Sequence, residues 1–306
     1  MRKKYSHTGF VRSINLKGGD GWRVGKAAAG ESPALRFLYR TVPGRILLKG
    51  LVQPQVSKAA GHYLSSRASK WLVPYYIRKH DIDMKGVKIP SGGFASFNDF
   101  FTRKRTTTLP ERPAEELLSP CDGWLSAVKI RDNTVLMIKS ARFTLHDLLG
   151  DEALAEQFRD GEALIFRLTP ADYHRYCYAA DGRIVTEKRI DGVLHCVRPI
   201  ALRGVPVFAR NSREYQVIRT ERFGTMVQME IGALLVGKIR NQKTGIGNRV
   251  RAGAEKGYFE FGGSTIVLLL QKGVVCSYGE WADRENADGE VKIHRGECVA
   301  KAVRIS

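Results

Sequence analysis

Tyr258-Phe259-Glu260-Phe261-Gly262-Gly263-Ser264-Thr265-Ile266-Val267-Leu268-Leu269-Leu270 is the most informative stretch of this 306-residue chain. Thr265–Leu270 is its longest clean apolar run and has the length of a strand. Nowhere does the chain approach the ~20 apolar residues that a membrane-crossing helix needs. Two glycines stand before the serine. Glycine lets a backbone take left-handed or strained angles and lets another group come close. On these residues alone, the ordinary reading is a hairpin turn with a hydroxyl cap. The sharper reading is a reactive serine at the mouth of a buried strand.

The surrounding sequence sets the fold class. From about residue 115, short β-rich runs are separated by Gly and Asp: Trp124–Ile130, Thr134–Ile138, Ala163–Leu168, Thr225–Ile231, Leu234–Ile239, Gly257–Phe261 and Ser264–Leu270. Turn signals such as Asp122-Gly123, Asp181-Gly182, Asp191-Gly192 and Lys272-Gly273 fall between them. Thr144–Arg159 reads as one helix, because Leu148, Leu149, Leu154 and Phe158 recur at helical spacing. The expected fold is α+β, with a mainly antiparallel β domain over 111–306 preceded by short amphipathic helices. Residues 33–110 form the helical segment, broken into pieces by Pro43 and Pro54, and 1–32 a flexible basic N-terminus.

The net charge of +19 is unevenly placed. Residues 1–110 carry 21 Lys and Arg against 5 Asp and Glu, an excess of 16, and the rest of the chain is nearly balanced. A basic segment seeks nucleic acid or an anionic membrane face, or is simply a solvated surface. In 33–80, Leu35, Phe37, Ile46, Leu47, Tyr63, Trp71 and Tyr75 interleave with Arg36, Arg40, Arg45, Lys49, Arg67, Lys70 and Arg78. That mixture suits helices lying in a membrane interface, or a helical layer packed on the main domain. Neither zinc-finger spacing nor a ribonucleoprotein-type aromatic signature occurs, so no nucleic-acid partner is expected. The five cysteines, Cys121, Cys177, Cys196, Cys276 and Cys298, are odd in number and lack CxxC spacing. They read as reduced thiols, with neither a disulfide framework nor a zinc site.

Six ordered motifs then carry a resemblance over roughly 33–306. They are Phe97-Asn98-Asp99-Phe100-Phe101-Thr102-Arg103, Ser119-Pro120-Cys121-Asp122-Gly123, Asp172-Tyr173-His174-Arg175, Phe208-Ala209-Arg210-Asn211, Val227 to Ala233, and Gly262-Gly263-Ser264-Thr265. Together they resemble the phosphatidylserine decarboxylase family, whose members cut themselves and use a pyruvoyl group. The resemblance implies a carboxy-lyase that makes phosphatidylethanolamine from phosphatidylserine. Ser264 would attack the carbonyl of Gly263, with Asp122 as the orienting carboxylate. The products would be residues 1–263 and a 43-residue chain headed by a pyruvoyl group from Ser264. That covalent group would be the only cofactor, with no metal and no pyridoxal phosphate. The implied partners are the lipid substrate, an anionic membrane surface, the two chains for each other, and a second copy in a homodimer. The implied location is peripheral, at the cytoplasmic face of the cell membrane.

One position departs from the family. Familiar members have His-x-x-His after Asp-Tyr, the first His associated with decarboxylation and the second with self-cleavage. Here the segment is His174-Arg175-Tyr176-Cys177. Three candidates for the cleavage base stay open: His174 serving both reactions, Cys177 as a thiolate, or His195, which stands where the family usually has Phe. A relative that never cleaves and only binds anionic lipid is the alternative function that the Cys177 substitution favours. His62, His80 and His294 occur in ordinary contexts and are assigned no chemistry. The stretch around His146 is read as pocket lining or helix packing.

Overall fold

The computed structural model describes residues 33–51, 53–106, 108–130, 135–138, 141–192, 211–232, 238–261, 264–283 and 290–303. The proposed flexible N-terminus, Gly263, His195, Cys196, Phe208–Arg210 and the front of the Leu234–Ile239 run lie outside them.

The β domain is built on an eight-stranded antiparallel sheet. Its strands lie in the order Arg249–Val250, Gly182–Ile190, Arg213–Arg219, Thr225–Gly232, Ser264–Leu270, Glu162–Leu168, Gly123–Lys129, Val291–Ile293. Ser264–Leu270 is interior, and every one of its residues is buried. Ile266, Leu268 and Leu270 enter the core on one face, and Val267 and Leu269 the core on the other. Because both faces are covered, the strand shows no polar alternation, which is why it reads as a continuous apolar run.

The second face is covered partly by two short helices, Leu145–Leu149 and Glu152–Glu156. The single helix expected over Thr144–Arg159 is therefore corrected to two. Gly150 takes a left-handed φ of 60° and ends the first, and the Asp151 carboxylate accepts from Leu154 N at 2.9 Å to start the second. Leu145, Leu148 and Leu149 are buried and pack the helix on the sheet, while His146 on its other side is exposed and lines a surface cavity with Thr144 and Asp147.

A three-stranded sheet, Ile239–Asn241, Glu255–Phe259 and Arg175–Cys177, is tied to the large one by a buried polar network. Lys256, fully buried, forms an ion pair with fully buried Glu230. Asn241 bridges Glu230 at 3.2 Å and accepts from Tyr176 Oη at 3.1 Å. Gln228 donates to the Cys177 carbonyl at 2.9 Å. Breaking such a pair on one side leaves a buried charge uncompensated, so the network fixes one arrangement of the two sheets. It thereby holds the strand that follows His174 against the strand that leads into Ser264.

The N-terminal helices are α1 (Pro33–Arg40), α2 (Val42–Leu51), α3 (Pro54–Ser65) and α4 (Leu72–His80), followed by α5 (Phe97–Phe101). This segment is physically divided. Leu64, Val73, Tyr76, Phe97, Phe100 and Phe101 form a core of their own, with Phe261 packed against it. Phe37, Val42, Ile46 and Leu47 in α1 and α2 are exposed.

Candidate active site

Strand register assembles the site at one end of the large sheet. Ser264, the first residue of its strand, sits between Leu168 and Gly232. Glu162–Leu168 runs out of the sheet at Leu168, and its continuation turns through Asp172 and His174. The neighbouring strand begins at Gly123, paired with Ile293, so Asp122 and His294 emerge at this same end. Gly123 is required here. A Cβ on it would lie 2.8 Å from the Arg167 carbonyl oxygen, closer than carbon and oxygen tolerate. The Asp-Gly pair thus places a carboxylate where the sheets run out.

His174 is fully buried, with its ring tilted against Phe101 at 4.1 Å between centroids. Its Nδ1 lies 2.9 Å from the Asp172 carbonyl oxygen. A carbonyl only accepts, so the proton of the neutral ring is on Nδ1 and Nε2 carries the lone pair. Burial pushes this imidazole down to about 4, against the pull of Asp172. The ring is therefore neutral at pH 7. Nε2 is buried without a hydrogen-bond partner among the described residues, and so is Ser264 Oγ. A base with an open lone pair and a hydroxyl with no acceptor are both enclosed at the same sheet end.

The Asp172 side chain is occupied elsewhere. It accepts from Thr169 N at 2.6 Å and Thr169 Oγ1 at 2.8 Å, and pairs with Lys292. Burial opposes its ionisation, but Lys292 and the Thr169 bonds outweigh that and hold its pKa below the ordinary value. Its role is to lock the loop whose carbonyl orients His174.

Asp122, 4% exposed, accepts from Arg105 at 2.9 Å and from Arg295 N at 2.8 Å. Its nearest imidazole contact is His294 Nδ1 at 3.9 Å. The charge of Asp122 acts on His174 through space, without a direct hydrogen bond. His294, assigned no chemistry from the sequence, stands beside Asp122 here, and Arg295 and Arg105 were not singled out there at all. No local signal marks them, because only the pairing of Ile293 with Gly123 brings residue 294 to residue 122.

Cys177 is buried, with its sulfur 3.5 Å from the Pro120 carbonyl oxygen. Burial pushes its thiol up to about 12, so it is not a thiolate near neutrality.

The other motifs prove to be supports. Asn98 accepts from Phe261 N at 3.1 Å and donates to Ser65 at 2.9 Å, gripping the backbone just before Gly262. Phe261 also packs on Phe101 at 5.1 Å. Asn211 donates to the Gly232 carbonyl at 2.7 Å, securing the residue beside Ser264. The structure thus gathers Ser264, Asp122 and His174, while Gly263 and His195 lie outside the described residues.

Comparison with known proteins matches residues 97–301 to the family described as phosphatidylserine decarboxylase. The chain is 39% identical over 270 residues to phosphatidylserine decarboxylase proenzyme 2 of Clostridium acetobutylicum, covering 87% of this chain and 91% of that protein. It is 36% identical over 274 residues to a phosphatidylserine decarboxylase proenzyme of Ruminiclostridium cellulolyticum, covering 88% and 91%. A third such proenzyme, from Fusobacterium nucleatum, is 35% identical over 270 residues, covering 86% and 89%.

Proposed function

The chain belongs to the phosphatidylserine decarboxylase family, and from that membership and the site we propose that Ser264 cuts the chain and His174 is the base for the cut. The protein is a carboxy-lyase proenzyme that converts phosphatidylserine to phosphatidylethanolamine with a covalent pyruvoyl group. The observation that carries the proposal is the pairing of types: a buried Nε2 lone pair and a buried Ser264 Oγ with no partner among the described residues, at one sheet end.

Nε2 of His174 takes the Ser264 hydroxyl proton as Oγ attacks the Gly263 carbonyl, and the peptide link becomes an ester. Elimination of that ester releases residues 1–263 with a carboxylate and leaves dehydroalanine at position 264. Addition of water and loss of ammonia turn it into the pyruvoyl group. The enclosure of Ser264 between Leu168 and Gly232 fits a small group carried by the main chain. Once formed, that group supplies an electron sink for the decarboxylation. His174 Nε2 would take up the proton that the substrate's amine sheds on binding and return it to the carbon that has lost carbon dioxide, and Asp122, held by Arg105, supplies negative potential to the ring throughout.

The thiol of Cys177 has no part in this scheme. Cys177→Ala is expected to self-cleave within about fivefold of the wild-type rate, since a thiol that titrates near 12 supplies almost no base at pH 7. Intact mass against time checks it, and a block in maturation would return Cys177 to the chemistry.

We also place the protein at the membrane as a peripheral enzyme. Among the described residues no helix is long and apolar enough to cross a membrane. The acyl chains of the substrate stay in the bilayer, so the enzyme has to meet it there. Ile46 is 67% and Trp71 64% exposed, with Arg45, Lys49, Arg67 and Lys70 among them. Such side chains suit the interface of an anionic bilayer, at roughly 1 kcal/mol for each well-placed basic residue. The double variant Ile46→Asp, Leu47→Asp is expected to lose at least about tenfold in affinity for phosphatidylserine vesicles, while still cutting itself. Vesicle sedimentation at low and high salt measures this, and undiminished, salt-independent binding would remove these helices from the interface.

A further inference from the structure

The catalytic end of the sheet holds more positive charge than the scheme above uses. Tyr173, adjoining His174, has three guanidinium groups around its ring: Arg105 at 4.4 Å, Arg295 at 5.4 Å and Arg103 at 6.0 Å. With Lys292, four cations face two carboxylates. Asp122 is matched to Arg105, and Asp172 to Lys292. Among the described residues, neither Arg103 nor Arg295 has a carboxylate partner; Asp122 meets Arg295 only through its backbone N–H.

Arg103 is the more telling of the two. It is 3% exposed, stacks on Phe100 at 5.0 Å, and its Nε is buried without a hydrogen-bond partner among the described residues. Burial, and then the neighbouring Arg105, push its pKa below the usual arginine value. Burying a guanidinium without an anion is costly unless a ligand completes the pair.

We propose that Arg103 and Arg295, flanking Tyr173, bind the phosphodiester of the lipid headgroup. The inference rests on the decarboxylase reading. The substrate brings two anionic groups, a phosphodiester and a carboxylate, and the reaction tells them apart. The carboxylate loses its charge as carbon dioxide departs, so a cation paired with it would stabilise the substrate more than the transition state. The phosphodiester keeps its charge throughout. A guanidinium pair on it strengthens binding equally before and during the reaction, and planar forks suit its two free oxygens.

The test uses the matured enzyme and dispersed short-chain phosphatidylserine. Arg295→Gln and Arg103→Gln are each expected to raise KM by about ten- to a hundredfold, the range for a charge-assisted hydrogen bond, with kcat within about threefold. By calorimetry, glycerophosphoethanolamine should bind the wild type and fail to bind Arg295→Gln, whereas ethanolamine should bind neither. If Arg103→Gln does not fold, the half-exposed Arg295 decides the matter. An unchanged KM overturns the assignment. So does a rise in KM matched by a rise in kcat, which would put the arginines on the carboxylate, a fall in kcat at constant KM, which would put them on the transition state, or inorganic phosphate binding as tightly as the diester. A wild type that neither splits nor releases carbon dioxide would instead defeat the decarboxylase reading itself.

Discussion

The Ser264→Ala chain is expected to remain a single species of 306 residues, while the wild type divides into residues 1–263 and a 43-residue chain. Removing one oxygen takes away the only group able to attack Gly263 in this scheme and the only source of the pyruvoyl group. The loss of both self-cleavage and decarboxylation is therefore complete rather than partial. The substitution does not threaten the fold. Ser264 Oγ makes no hydrogen bond among the described residues, so alanine leaves no partner unsatisfied. Intact mass under denaturing conditions reads the outcome directly. The small chain of the wild type should also lack a free amine at its new N-terminus. Cleavage of the Ser264→Ala chain at the same bond would sink the nucleophile assignment.

His174→Gln should slow maturation by about 10²- to 10⁴-fold, the range for losing a positioned general base. The pH dependence is a sharper test, because its sign and position follow from burial. With its pKa near 4, His174 carries its Nε2 lone pair at every pH above about 5. The wild-type rate should stay flat from neutrality down to that point and fall as the pH drops through 4. A fall centred near 6.5 would mean that an imidazole in an ordinary solvent setting is the base. His195→Gln then tests that candidate, and a wild-type rate for it keeps the role with His174.

The same shift affects stability. The unfolded ring protonates near 6.5 and the folded ring only near 4. Between those values the unfolded state binds more protons, so stability is full above about pH 6.5 and is lost as pH falls toward 4. The loss is about 3 kcal/mol from this group. His174→Gln should remove that part of the acid sensitivity in chemical denaturation, which separates the electrostatic effect from the catalytic one.

Ser264 and its strand, the Asp122-Gly123 turn and the His174 segment were all legible in the sequence. Each is written within a few consecutive residues, and an apolar strand or a turn is a local property of the chain. The split of Thr144–Arg159 was also written locally, in Gly150-Asp151, but the helical recurrence of leucines hid it. Proximity is of another kind. That His294 and Arg295 meet Asp122 depends on a strand pairing between residues far apart in the chain. That His174 keeps its lone pair on Nε2 depends on one carbonyl, and the raised pKa of Cys177 depends on its burial. The sequence by itself determined which reactive groups this protein carries and which strand presents the serine. Only the tertiary structure decided which charges are matched, which ring nitrogen is free and which thiol burial keeps protonated, because desolvation and hydrogen bonding act between groups that the fold, not the order of residues, brings together.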